Sequence, residues 1–258
     1  MRVLPPQAME RKMPHQSLNQ LIRKLESVTT LSEDERKSLL DLPVKVKTLA
    51  ADEDIVREGD RPSQCCLLAE GFLCRYKILP NGTRTIMAFY VPGEIPDAHS
   101  LHIDVMDDSL GSVGPSKVAL IAHDAMKQLI HRHPGIGDAF WRDTLIDAAI
   151  FREWIVNVGS REAYSRIAHL LCEIFLKLKA VGLTNGTSFD FPITQSKLGE
   201  ATGLSTVHVN RSVQSLRANG LIVLERGRCT VSDLERLKEA AMFDPTYLHL
   251  RGEQAEAA

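Results

Sequence analysis

Between Lys197 and Arg228 lies a set of side chains able to do chemistry on a polyanion. Arg211 offers a planar fork of donors that fits the O6/N7 edge of guanine, or a phosphate. Thr206, His208 and Asn210 can exchange hydrogen bonds with base edges, and Val207 can pack on a thymine methyl. Lys197, Arg226 and Arg228 supply positive charge suited to phosphate. Residues 206–211 would fall within the first two turns of one helix, the part of a reading helix that meets bases.

These groups act together only if Gly199–Ile222, GEATGLSTVHVNRSVQSLRANGLI, folds as two helices around a sharp turn. The local chemistry predicts that fold. Thr194 can cap the first helix. Gly199 supplies the small residue needed where the helices meet, and Gly203 tolerates a left-handed turn. Ser205 can cap the second helix, and Val209 plugs the gap between the two. Leu198, Leu204, Val209, Val213 and Leu216 form the inner face. The next stretch, LIVLERGRCTVSD, reads as a hairpin turning at Arg226-Gly227-Arg228. The sum is a winged helix-turn-helix with a basic wing tip. The chain carries a net charge of −2, but Lys197, Arg211, Arg217, Arg226 and Arg228 locally outnumber Glu200 and Glu225, so the cationic footprint is local.

Other reactive side chains make weaker patterns. Five cysteines, Cys65, Cys66, Cys74, Cys172 and Cys229, give an odd count without a C-x-x-C. They form neither a disulfide framework nor a zinc site. Cys65, Cys66 and Cys74 read as small core residues on strands. Cys229, beside Arg228, has a redox-sensitive alternative if that charge lowers its pKa. An H-x-H at His131 and His133 could attract a metal, but these, like His99 and His102 in HSLH, read first as satisfied surface or capping histidines. No metal ligand set, cofactor or catalytic group is assigned, and the chain is not expected to be an enzyme.

The elements that must position the reading residues follow from periodicity. The 258 residues are 44% hydrophobic, enough for a packed core. Neither a secretory leader nor an apolar run long enough to span a bilayer is evident, so no membrane contact and a cytoplasmic location are expected. Residues 1–16, with three prolines, read as a mobile tail. A helix is predicted from about Leu18 to Ser27, and Ser32 with Glu35 forms a capping box for the next. From Val44 to Ile121 short strands alternate with evenly spaced glycines at 59, 71, 82 and 93, and Asn81-Gly82 is a hairpin turn. That pattern predicts a β-roll over 17–133. A short helix at His123 ends before Pro134, which opens a long one. Residues 134–159 carry two apolar stripes. Ile136, Phe140, Ile146, Ile150 and Trp154 make one, leaving a helix apolar on two sides that is either buried in a large core or packed between its own domain and a partner. Trp141, Thr144, Ala148, Phe151, Ile155 and Val158 form a coiled-coil-like seam suited to a second copy of the chain. Ser160 is expected to cap the following helix, and residues 160–250 to form the nucleic-acid-binding domain, with a tail at 251–258. The fold class is α+β.

With these elements in place, the chain resembles the Crp/Fnr family of bacterial transcription regulators over nearly its whole length. The segments GDRPSQCCLLAEGFLCRYK, NGTRTIMAFYVPGE, KLGEATGLSTVHVNR and FDPTYLHL carry the resemblance. It implies a jelly-roll-like β-roll sensor of the cyclic-nucleotide-binding type, a dimerisation helix and a C-terminal winged helix-turn-helix. It further implies a homodimer on an inverted-repeat DNA operator, with RNA polymerase as a partner. The family's base-reading positions fall on Thr206, Val207, Asn210 and Arg211. Arg211 matches a widespread arginine. Val207 departs from a common glutamate that accepts from cytosine N4, so the operator should differ at that step. Ser212 also replaces a usual apolar residue.

The sensor departs further. Nucleotide-binding relatives hold ribose with a glutamate and the cyclic phosphate with an Arg-Ser pair. Those positions fall near Ala98 and near Asp108-Ser109, and an aspartate facing phosphate argues against cAMP. No cysteine precedes Cys65, so an N-terminal iron–sulfur ligand set is unsupported. Asp97, His99, Ser100, Asp108 and Ser109 remain as residual pocket candidates, which either hold an unidentified effector or structure an empty roll. The competing reading is a cupin-like β-roll that binds a small molecule or metal without reading DNA. On a strand, His99 and His102 would point to opposite faces, which disfavours it.

Overall fold

The computed structural model describes residues 6–251. Its chain divides into two units. One takes the residues up to Leu73 with Tyr90–Leu145, and the other takes Cys74–Phe89 with the residues from Ile146 onward.

The first unit opens with α1 (Pro6–Glu26) and α2 (Glu33–Leu40). The expected tail of residues 1–16 is helical from Pro6 onward, while residues 1–5 lie outside the described residues, as do 252–258 of the C-terminal tail. Proline lacks the N–H that a first helical residue leaves unpaired, so Pro6 suits a helix start better than it suits a breaker. Leu18, Leu21, Ile22 and Leu25 repeat at helical spacing and are all buried. The Ser32–Glu35 capping box forms as expected.

The strands are β1 (Val44–Leu49), β2 (Asp54–Val56), β3 (Gln64–Glu70), β4 (Leu73–Ile78), β5 (Arg84–Tyr90), β6 (Ser109–Ser112) and β7 (Ser116–Ala122). In the first unit β7 lies between β1 and β3, antiparallel to both, and β2 pairs antiparallel with β6. Leu67, Ala119 and Ile121 turn into one core with the apolar face of α1. Gly93 lets α1 approach closely, since a Cβ there would meet the Gln20 carbonyl oxygen at 2.6 Å. The β4–β5 hairpin belongs to the second unit. Its Asn81-Gly82 turn closes as read: Leu79 N–H donates to Thr83 O at 2.8 Å.

The helix α3 (His123–Arg132) is followed by α4 (Pro134–Ser160), which begins at proline and passes from one unit to the other. The division between the two units falls within α4, between Leu145 and Ile146. Helix α5 (Ala163–Ala180) starts after a two-residue link, Arg161-Glu162. Its N-cap is Glu162, not Ser160, because Ser160 is still the last residue of α4.

Helix α5 is buried without interruption from Ile167 to Leu178. A helix apolar on all sides belongs inside a core, and its few polar groups need partners there. Glu173 accepts from Trp154 Nε1 at 3.1 Å and from the Tyr247 hydroxyl at 2.8 Å. Lys177 Nζ donates to Phe89 O at 2.8 Å. Burial, assisted by the Glu173 charge, pushes the Tyr247 hydroxyl well above its ordinary pKa, so it stays a donor. The remaining elements are β8 (Ser188–Asp190), α6 (Gln195–Thr202), α7 (Thr206–Ala218), β9 (Ile222–Glu225), β10 (Arg228–Val231) and α8 (Leu234–Ala241). In their sheet β10 lies between β8 and β9.

Candidate nucleic-acid interface

The turn between α6 and α7 is built as its glycines require. Thr194 caps α6, accepting from Lys197 N–H at 3.3 Å. A Cβ on Gly199 would stand 2.6 Å from the Leu204 carbonyl oxygen, so only glycine lets the turn pass this close. Gly203 ends α6 in the left-handed region, at φ 68°. Ser205 caps α7, accepting from His208 N–H. Val209 is fully buried as the plug, with Leu198, Val213 and Leu216 buried around it and Leu204 half-buried at the turn. Ser212 is also buried in α7, where the family usually places an apolar side chain.

With its inner face committed to the core, α7 presents Thr206, Val207, His208, Asn210 and Arg211 outward, all exposed. Val207 is 65% exposed, an apolar side chain at the helix start with no place in the core. His208 Nδ1 lies 2.9 Å from Ser205 Oγ, which orients the ring. Asn210 Nδ2 donates to Gln195 Oε1 at 3.3 Å, joining the two helices across their outer side.

Lys197 is placed otherwise than expected. It is 8% exposed, on the same side of α6 as Leu198, and does not share the surface of Arg211. The β4–β5 hairpin reaches the same helix, with Arg84 lying 3.6 Å from the Glu200 carboxylate. Burial pushes the Cys74 thiol in that hairpin up to about 11, with the charges of Arg84 and Lys197 working against it.

At the wing, Arg226 and Gly227 take φ 51° and 75°, the two consecutive positive values of a tight hairpin turn. Arg226 is exposed at the tip, while Arg228 Nη1 donates to Asp190 Oδ1 at 2.9 Å. The sequence reading missed β8 and with it this acidic partner, because three residues carry too little alternation to register as a strand. It also missed an open groove beside the wing, lined by Ile193, Thr194, Gln195, Val213, Arg217 and Arg226. Cys229 is fully buried and its thiol is pushed up to about 12 by burial, so the redox-sensitive alternative fails.

The sensor candidates lie in the first unit. Asp97 is buried and accepts from Cys66 N–H at 2.8 Å. Ser100 Oγ lies 3.0 Å from His123 Nε2, and Ser109 Oγ accepts from Glu58 N–H at 3.1 Å. Asp108 is buried, and both it and His99 interact with neighbours of their own. His99 lies in a 3₁₀ turn, Ala98–Leu101, with His102 at its end, so the strand-alternation argument against paired ligands does not apply there. Among the described residues no group of three or more His, Cys, Asp or Glu is gathered as a metal site. His133 Nε2 is 2.9 Å from Ser38 Oγ of α2.

The two stripes of α4 separate. Ile136, Phe140, Ile146, Ile150 and Trp154 are buried. Of the other stripe, Trp141 and Ile155 are 64% and 70% exposed, Thr144 and Val158 are exposed, and Ala148 and Phe151 are half-buried. Leu145 and Val156 are further exposed apolar residues on this helix. No helix among the described residues is long and apolar enough to cross a membrane.

Residues 46–133 match the Cyclic nucleotide-binding domain family, and residues 165–240 match the Crp-like helix-turn-helix domain family. The transcriptional activator protein FnrL of Cereibacter sphaeroides is 24% identical over 205 residues, covering 77% of this chain and 81% of its own. The nitrogen fixation regulation protein FixK of Bradyrhizobium diazoefficiens is 23% identical over 197 residues, 73% of this chain and 78% of its own. The structure of FixK2 from Bradyrhizobium japonicum superposes with a TM-score of 0.70 at 18% identity, covering 77% of this chain and 98% of that one. A β-roll, a long helix with an unfilled apolar stripe and a capped helix-turn-helix with its wing thus occur in one chain with these relatives, and the chain belongs to the Crp/Fnr family of transcription regulators.

Proposed function

We propose that this chain is a homodimeric, sequence-specific DNA-binding transcription regulator that reads an inverted repeat. The observation that carries the reading is the division of α7 into a buried inner face and an exposed outer face bearing Thr206, Val207, His208, Asn210 and Arg211. Arg211 reads guanine or grips phosphate, Val207 packs on a thymine methyl, and the Arg226 wing tip meets the backbone. The exposed stripe of α4 pairs two copies, whose two-fold axis becomes that of the operator, with reading helices about 34 Å apart. RNA polymerase is the protein partner, and the work is done in the cytoplasm without catalysis.

The β-roll is the sensing part, and its effector is not cAMP: the family's phosphate-binding Arg-Ser position falls near Asp108-Ser109, and an aspartate there would repel phosphate. Asp97, His99, Ser100, Asp108 and Ser109 mark where an effector would act. Footprinting on the protein's own promoter region, with and without nucleotides, haem, nitric oxide and oxidants, tests both parts. A two-fold protected site is expected, and its occupancy should respond to an agent other than cAMP. Absence of any protected site overturns the regulator reading.

A further inference from the structure

The link between α4 and α5 is only Arg161-Glu162. The orientation of the reading helix relative to the dimerisation helix therefore depends on few backbone angles. Two arginines hold this link, and each also caps the C-terminus of another helix.

Arg166, in the first turn of α5, donates from Nη1 to the Thr202 carbonyl at 2.6 Å and from Nη2 to the Arg161 carbonyl at 2.8 Å. Thr202 is the last residue of α6, immediately before the left-handed Gly203. Carbonyls in a last turn lack intrahelical partners and sit at the negative end of the helix dipole, so a guanidinium is a fitting cap. Arg161 sends its own side chain elsewhere. Its Nε donates to Ala241 O at 3.1 Å and its Nη2 to Met242 O at 3.0 Å, closing the C-terminus of α8. The same Nη2 donates to Glu153 Oε1 of α4 at 2.6 Å. Asn157 of α4 adds a bond from Nδ2 to Arg166 O at 3.3 Å.

The connections run from Glu153 on α4, through Arg161 and Arg166, to the turn that launches α7. We infer that Arg161 and Arg166 are positioning residues that fix the angle between the dimerisation helix and the reading helix, and so set the half-site spacing a dimer accepts. The inference rests on the proposed dimeric DNA reading. A planar fork can hold two carbonyls in one geometry, which a lysine ammonium cannot do as specifically.

The test uses the full chain. Operators are first selected from random-sequence DNA with the unaltered protein. Binding is then compared between the selected repeat and the same repeat with one base pair inserted at its centre, which turns one half-site by about 34°. The unaltered protein should lose about tenfold or more in affinity on insertion. Arg166→Gln and Arg161→Gln should narrow that ratio to within about threefold while keeping binding to an isolated half-site, with Arg166→Lys intermediate. A merely structural role would lower affinity for all DNA alike and leave the ratio unmoved, and that result overturns the inference. If Arg166→Gln does not fold, Glu153→Gln, which loosens Arg161 from α4 alone, must narrow the ratio or the inference fails. An unaltered protein that selects no inverted repeat overturns the dimeric reading and this inference together. Equal discrimination by the unaltered and altered proteins overturns this inference alone.

Discussion

Arg228 and Asp190 face each other in register across β10 and β8, with the guanidinium donating to the carboxylate at 2.9 Å. Both side chains are at least half exposed, so the pair adds little to stability and its main effect is on the charge of the wing. Asp190→Asn removes an anion from a surface meant for phosphate and releases Arg228. DNA affinity should rise a few fold, and the log–log salt slope should steepen by up to about 0.9, the value of one further phosphate contact. Fluorescence anisotropy across a potassium chloride series measures both. An unchanged slope would remove Arg228 from the phosphate contacts.

Arg211→Ala should cost specific binding about 1–3 kcal/mol while changing nonspecific binding much less. Competition between the selected operator and bulk DNA separates the two, and equal losses would end the base-reading assignment. Val207→Glu places an acceptor at the same exposed helix start, so repeated selection should move the preferred operator toward a cytosine at the contacted step.

Gly199→Ala should destabilise the helix-turn-helix by about 1–3 kcal/mol, because the added Cβ meets the rigid Leu204 carbonyl at 2.6 Å rather than a side chain that can swing away. Urea denaturation gives the change. A loss below about 0.5 kcal/mol would mean that the turn relaxes freely.

Ile155 is 70% exposed on α4, so Ile155→Glu should leave the folded chain's own packing nearly intact while placing two like charges across a self-paired seam. The expected outcome is a dimer dissociation constant raised by about tenfold or more with little change in the monomer's thermal midpoint. Sedimentation velocity decides, and an unaltered dimer would move the interface off this stripe.

His169 is held neutral in the core: burial, and then the charge of Arg161, pull its pKa down to about 3 from 6.5. Glu153 lies 3.3 Å away, but Arg161 also donates to the same carboxylate oxygen, at 2.6 Å. The folded pKa is below the unfolded one, so the unfolded chain binds the extra proton. This contribution is therefore complete above about pH 6.5 and is lost as pH falls toward 3, with a slope approaching ~1.4 kcal/mol per pH unit. His169→Gln should flatten the stability–pH curve in that window. The same steepness in the variant would assign the acid sensitivity to other groups.

What the sequence disclosed was whatever local chemistry decides. Gly199, Gly203 and Ser205 each answer to one turn or cap, so the reading helix could be placed from its own residues. The two apolar stripes of α4 were legible because 27 residues give periodicity room to speak. Burial imposed by distant chain was not legible. Lys197 reads as a surface cation from the sequence yet is buried, and Arg84, on a hairpin more than a hundred residues earlier, reaches the same helix at Glu200. Asp190 was hidden for the opposite reason, since its strand exists only through pairing with β10. The start of α1 was obscured by prolines whose effect depends on position within a helix.

Cys65, Cys66, Cys74, Cys172 and Cys229 are all buried, and burial raises the pKa of each thiol. Thiolate is the form that alkylating reagents attack, so the native chain is already quiet toward maleimides. A single cysteine introduced at Val207 or at the wing tip could carry a fluorophore or spin label without removing any of the five. The packing that fills the interior with small sulfur side chains thus leaves the reading surface open to site-specific labelling in the otherwise unaltered protein.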